Sequence, residues 1–253
     1  MKNIAKFSGI ILLILALYCS TRADNKIIQK SFGWHCGGYK LCLRVDFSDN
    51  LNQAYLKISR KPLGTDSVAY YQQFLAILPG DSMITELAKS FTDLASRSGL
   101  PVVLLVTSFT QSLQYNRQAN RINFYYNDLF NGKATCWGKS ILTYLLLKKL
   151  GYEVSIIYFR AIPLPQGGTD QHVVCAIGSE GPYALFKGCT YIETHNLTPI
   201  GYLPIAVGPG QLIGDPRAMY PEHNKNNLSK LGPYRILFHA PGNKLSAESL
   251  AGF

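Results

Sequence analysis

Helical and β-like stretches fall in separate runs along this 253-residue chain, and that segregation predicts an α+β fold. Three observations carry the prediction. Apolar residues recur at three and four through residues 82–115, a nearly all-apolar helical stretch follows at 135–150, and β-like runs cluster after it. With 47% apolar and 16% charged residues, the chain can build a core, and disordered, collagen-like and coiled-coil architectures are excluded.

Taken in order, residues 1–23 read as a signal peptide. Lys2 and Lys6 precede the apolar stretch Ile10–Leu17, and Thr21 and Ala23 put small residues at the −3 and −1 positions of a cut. The stretch falls short of the ~18–20 residues of a membrane-spanning helix, and no other part of the chain is long and apolar enough to span a bilayer. The alternatives are an uncleaved anchor and a lipid anchor at Cys19, where bulky Tyr18 fits poorly. The chain is therefore expected to be exported, to the periplasm or outside the cell.

Residues 24–75 form a β-rich N-terminal segment, a small appendage in which Leu41, Leu43, Val45 and Phe47, then Tyr55, Leu56 and Ile58, alternate loosely about an Asp49–Asn50 turn. Residues 76–205 form the core. Within it Ser82–Ser98 is an amphipathic helix ended by Gly99, and Pro101–Tyr115 repeats the pattern through Val103, Val106, Phe109 and Leu113. Residues 116–135 are polar and turn-rich, hence a loop. Thr135–Leu150, closed by Gly151, is apolar nearly all round and so a buried helix. The β-like runs are Tyr152–Phe159, His172–Ile177, Tyr183–Lys187 and Thr190–Thr194. Residues 206–253 are a Gly/Pro-rich C-terminal extension with one strand at Tyr234–His239.

The formal charge of +10 falls to +7 once Lys2, Lys6 and Arg22 leave with the signal. The remaining basic residues are scattered, with pairs such as Arg60–Lys61 and Lys148–Lys149, whereas a nucleic-acid binder concentrates them on one face. The charge reads as solvation, with weak attraction to anionic polymers of the cell envelope. Gly138–Lys139–Ser140 resembles the end of a phosphate-binding loop. The first Gly of that motif falls at Lys133, however, and Gly132 is one residue out of register, so the reading is discarded.

Export implies an oxidising compartment, and the chain beyond Cys19 holds five cysteines. Cys36 and Cys42 flank Gly37–Gly38 at a spacing compatible with a disulfide across a tight turn. Cys175 and Cys189 flank Gly181–Pro182 and can face each other across a hairpin. Four cysteines allow three pairings, and buried reduced cysteines are the alternative. The most economical arrangement leaves Cys136 over.

Cys136 opens the buried helix, where unpaired N–H groups and the helix dipole favour thiolate over thiol. Thr135 before it can cap the helix through its hydroxyl. A thiolate needs a proton carrier held by a third polar group. His172 opens an apolar strand, and Glu193 can orient its imidazole from a neighbouring strand. The backbone N–H of Cys136 and one side-chain amide, best supplied by Gln111, would hold the oxyanion. A helix-start cysteine followed by an antiparallel sheet carrying a histidine and an acid is how papain-like thiol sites are built. The set calls for no cofactor and no metal.

The runs Phe109–Tyr115, Tyr125–Leu129, Cys136, Leu145–Val154, His172-Val-Val, Tyr191–Thr194 and Ile200–Gly201 together resemble the bacterial transglutaminase-like superfamily over roughly Asp81 to Pro204. The resemblance implies a papain/transglutaminase-like α+β core acting on amide bonds, by peptide or isopeptide hydrolysis or by acyl transfer to an amine. It implies Cys136 as nucleophile, His172 as general base and acid, Glu193 as orienting acid and Gln111 as oxyanion support, with a peptide or protein as substrate. Bacterial members commonly place Gly-Asp before the Cys and Glu-Asp after it; here Ala134–Thr135 and Trp137–Gly138 stand there. That departure supports a competing expectation, the same fold kept as a catalytically inactive binding or assembly module. A third expectation is a zinc site from His35, Cys36 and Cys42, which lacks the second ligand pair usual in structural zinc.

Overall fold

The computed structural model describes residues 26–58, 82–116, 123–163, 167–195, 197–203, 206–208, 211–213, 228–229, 231–247 and 249. The signal peptide expected at 1–23, with Cys19, lies outside them. Among the described residues no helix is long and apolar enough to cross a membrane.

The architecture is mixed α and β with antiparallel main sheets. The described residues open on a hairpin, β1 (Ile27–Cys36) against β2 (Tyr39–Ser48). Its tight turn is Gly37–Gly38, both at positive φ (54° and 81°), where glycine alone is unstrained. One face of the hairpin is buried through Trp34, Cys36, Leu41, Leu43, Val45 and Phe47, and the other faces solvent, the period-2 pattern of a half-covered sheet. The buried face joins the main core, and Trp34 Nε1 donates to Ser108 Oγ at 3.1 Å. The hairpin is thus a wall of the core rather than an appendage to it.

Asp49–Asn50 begins helix α1 (Asp49–Ile58) instead of turning between strands. Ser48 decides this, its hydroxyl accepting from Leu51 N at 3.1 Å as a helix cap. Tyr55 then stacks on Phe124, with ring centroids 4.2 Å apart. Helix α2 (Ser82–Ser98) has the predicted bounds and buries the predicted face. Helix α3 (Val102–Ser112) is followed by the two-residue strand β3 (Gln114–Tyr115).

The expected loop at 116–135 contains helix α4 (Tyr125–Asn131) and strand β4 (Lys133–Ala134). The helix is too short to show a period, and tertiary hydrogen bonds fix it. Asn127 Nδ2 donates to Asn52 Oδ1 (2.7 Å), and Tyr126 Oη accepts from Ser48 N (2.8 Å). Helix α5 (Cys136–Lys149) is buried along nearly its whole length.

The second half is a four-stranded antiparallel sheet. Its order is β10 (Tyr234–Ala240), β5 (Val154–Pro163), β6 (Thr169–Gly178) and β7 (Cys189–Ile192). Helix α5 packs on β5 and β6, with α2 and α3 behind it. Residues 183–187, expected as a strand, form turns instead. The C-terminal region is partly structural: β10 completes the sheet edge, and Leu231 joins the apolar cluster beneath the other face. Within it β8 (Ala206–Gly208) and β9 (Gln211–Ile213) form a small separate ladder.

The cysteines Cys36, Cys42, Cys136, Cys175 and Cys189 are all free, so the expected pairings are corrected. Register explains both failures. Cys42 stands opposite Gly33 on the exposed face of the hairpin, while Cys36 points into the core. Cys175 belongs to the apolar cluster on one side of the sheet and Cys189 to the cluster on the other. Alternation also dissolves the zinc expectation, since His35 and Cys42 are exposed and Cys36 is buried on the opposite face. The odd-cysteine argument therefore does not single out Cys136; only its surroundings can.

Candidate active site

Cys136 stands where two local devices meet. Thr135 is extended (φ −76°, ψ 173°) and its hydroxyl accepts from Gly138 N, so the helix begins at the cysteine as expected. The parallel pair β3–β4, with Tyr115 opposite Ala134, carries Tyr115 to the same spot. Further along α5, Ser140 Oγ donates to Val173 O (3.0 Å) and bonds Thr194 Oγ1 (3.0 Å). The first turns of the helix therefore dock where the β6–β7 ladder ends.

Gly138 leaves room for a buried carboxylate. A Cβ there would overlap the Asp128 Oδ2 atom. Burial pushes the Asp128 carboxyl up to about 7, against the Asn123 amide that donates to Oδ1 at 2.9 Å. Gly-to-Ala in a helix ordinarily gains about 0.5–1 kcal/mol. Gly138→Ala is expected to reverse that sign and lower stability by about 1–3 kcal/mol, as overpacking does. Urea denaturation measures it, and a variant as stable as the parent contradicts the packing.

His172 opens the buried part of β6, and its Nε2 lies 3.2 Å from both oxygens of Glu193. The Cys136 thiol is near enough to His172 to act, with Glu193, in favour of the charged imidazole. Glu193 also accepts from Tyr191 Oη (2.6 Å) and from His195 N (2.8 Å). Exposure falls from 8% at Cys136 to 3% at His172 and 0% at Glu193, so the sulfur is the member nearest solvent.

Burial alone would push the His172 imidazole down, but the Glu193 carboxylate beside it and the nearby Cys136 hold it above its ordinary value. Burial likewise pushes the Glu193 carboxyl up, and His172, the Tyr191 hydroxyl and the His195 N–H outweigh it and hold the carboxyl low. The arrangement favours an imidazolium against the Glu193 carboxylate.

Gln111 is placed differently from the expectation. Its amide donates to the backbone carbonyls of Glu193 (2.7 Å) and Thr198 (3.0 Å), so both N–H groups are committed away from the sulfur. It clamps the backbone that carries the acid, because α3 ends against that turn.

Four further residues complete the site. Burial first, then the neighbouring Cys136, Asp170 and Glu193, push the Tyr115 hydroxyl far above its ordinary value, so it is a neutral donor. Tyr191 is held neutral by burial and Glu193. His195 stacks on Tyr115, with centroids 3.8 Å apart. Lys139, set aside with the false phosphate loop, is 1% exposed and donates to Gln111 O (2.9 Å) and His195 O (3.2 Å). A visible signal was missed here: a cation one turn after the candidate nucleophile, inside an otherwise buried helix, must have a partner.

Among the described residues no cluster of His, Cys, Asp and Glu has the geometry to hold a metal ion. No protein-family model, curated protein or solved structure matches the chain.

Proposed function

We propose that the chain is an exported thiol enzyme of the papain/transglutaminase-like class, acting on amide bonds of a peptide or protein through a covalent acyl-enzyme. The reading rests chiefly on one observation: the buried His172 imidazole is bonded through Nε2 to the Glu193 carboxylate and is influenced by the Cys136 thiol at the start of the neighbouring helix. Export rests on the layout of residues 1–23.

In the first half-reaction the Cys136 thiolate attacks the carbonyl carbon, and the electrons move onto the carbonyl oxygen. The Cys136 backbone N–H, unpaired at the helix start, and the Tyr115 hydroxyl are the donors for that oxyanion, in the role assigned to Gln111 from sequence. His172 gives its proton to the leaving amine as the C–N bond breaks. Water or a second amine then attacks the thioester, His172 takes the proton of the nucleophile, and the C–S bond breaks to return the thiolate.

Iodoacetamide is expected to alkylate Cys136 in the folded protein at pH 7. Cys36, Cys175 and Cys189 should resist, because burial pushes all three thiols up. Exposed Cys42 would label as well, so sites are mapped by mass spectrometry on a Cys42→Ser protein. If Cys136 stays unmodified, the nucleophile assignment fails.

The low exposure of Cys136 favours a second reading, a catalytically silent fold used for binding or assembly. A Cys136→Ala protein that keeps the biological phenotype selects it.

A further inference from the structure

In the proposed reaction the Cys136 sulfur attacks as a thiolate, which adds a second buried anion beside the Glu193 carboxylate. With Cys136 as thiolate and Glu193 ionised, His172 offsets one of two buried anions, and a buried net charge is expensive. One turn along α5, Lys139 presents a buried ammonium whose described bonds go to two backbone carbonyls, Gln111 O and His195 O, rather than to a carboxylate. Those carbonyls fix it beside the anions without neutralising it.

We propose that Lys139 is the positioning cation of this site: held one turn after Cys136 by the Gln111 and His195 carbonyls, its ammonium balances the second anion that the attacking sulfur adds beside Glu193. The inference rests on the thiol-enzyme reading. It gives the ammonium two tasks. Its bonds staple the end of α3 to the turn that carries Glu193 and His195, and its charge lowers the free energy of the thiolate.

The groups around it act in known directions. Burial pulls Lys139 down to about 8, while Glu193 and Cys136 act to raise it. From β6 comes His172, from the end of β7 Tyr191, Glu193 and His195, from β3 Tyr115, and from α4 the Asp128 carboxyl against Gly138. Of these, Tyr115 and Tyr191 stay neutral through the working range. A lysine that loses its proton near pH 8 would then couple to the sulfur in the alkaline range.

The test is the pH profile of Cys136 alkylation by iodoacetamide, on a Cys42→Ser background, with folding followed by circular dichroism. Lys139→Met removes the charge and is expected to move the acid limb to higher pH, slowing alkylation about tenfold or more at pH 6 and converging with the parent near pH 10. Lys139→Arg keeps the charge and should remain within about threefold of the parent at pH 6. The parent needs no variant: its profile should depart from a single ionisation, with a second inflection near pH 8. A folded Met variant with the parental profile, or a single-ionisation parent, overturns the role of Lys139 alone. A parent whose Cys136 does not react at all overturns the thiol-enzyme reading instead, and the Lys139 proposal with it.

Discussion

His172→Ala is expected to slow amide turnover by about 10²–10⁴, the range of a positioned acid–base group, and to slow alkylation of Cys136 at pH 6. The imidazole holds a proton readily because Glu193 lies beside it at 3.2 Å. Without it the thiolate loses the cation facing it and the leaving amine loses its proton source. The variant also leaves Glu193 buried with two described donors, the Tyr191 hydroxyl and the His195 N–H. Removing one partner of a buried ion pair costs about 3–5 kcal/mol, so circular dichroism must show a folded protein before rates are compared. His172→Gln provides a milder neutral control. A folded variant that alkylates Cys136 at the parental rate defeats the triad.

Glu193→Gln is expected to lower stability by about 3–5 kcal/mol at pH 6, read by urea denaturation. The sign follows from the two shifts. The Glu193 carboxyl is held low in the folded protein, so its contribution is present above about pH 4.3, its unfolded value, and fades as pH falls through the folded value. The His172 imidazole is held high, so its contribution is complete below about pH 6.5 and fades as pH rises through the folded value. The pair therefore helps most between those limits. The gap between parent and variant should narrow as the medium is acidified towards pH 2. An equal gap at pH 6 and pH 2 would mean that shape, rather than charge, accounts for the loss. In the variant burial is left to push His172 towards neutrality, so the acid limb of Cys136 alkylation should also move to higher pH.

The long elements were legible because their patterns are local. Ile84, Leu87, Phe91 and Leu94 repeat over enough turns to define α2, and the structure buries all four. The runs that became β5, β6 and β10 show β-like composition, although β5 and β6 extend beyond the expected limits. The short elements were not legible. Seven residues of α4 hold no usable period, and their helix depends on Asn52 and Ser48 from far earlier in the chain. In α1 the Asp49–Asn50 pair suits a turn as well as a first helical turn, and only Ser48 Oγ on Leu51 N separates the two. The disulfides failed for a related reason: spacing says whether a bridge can reach, whereas register says which face each sulfur occupies.

From its own residues alone the chain determined that a helix begins at Cys136, since the Thr135 hydroxyl reaches the Gly138 N–H within a single turn. It likewise determined that α5 is buried and that His172 opens an apolar strand. Tertiary structure alone decided how His172 meets Glu193, that the Gln111 amide serves the Glu193 carbonyl 82 residues away, and that Lys139 belongs to the site. The physical reason is range. Caps and periods are satisfied within a few neighbouring residues, but a buried amide, ammonium or sulfur takes whatever partner the packing of distant segments brings to it.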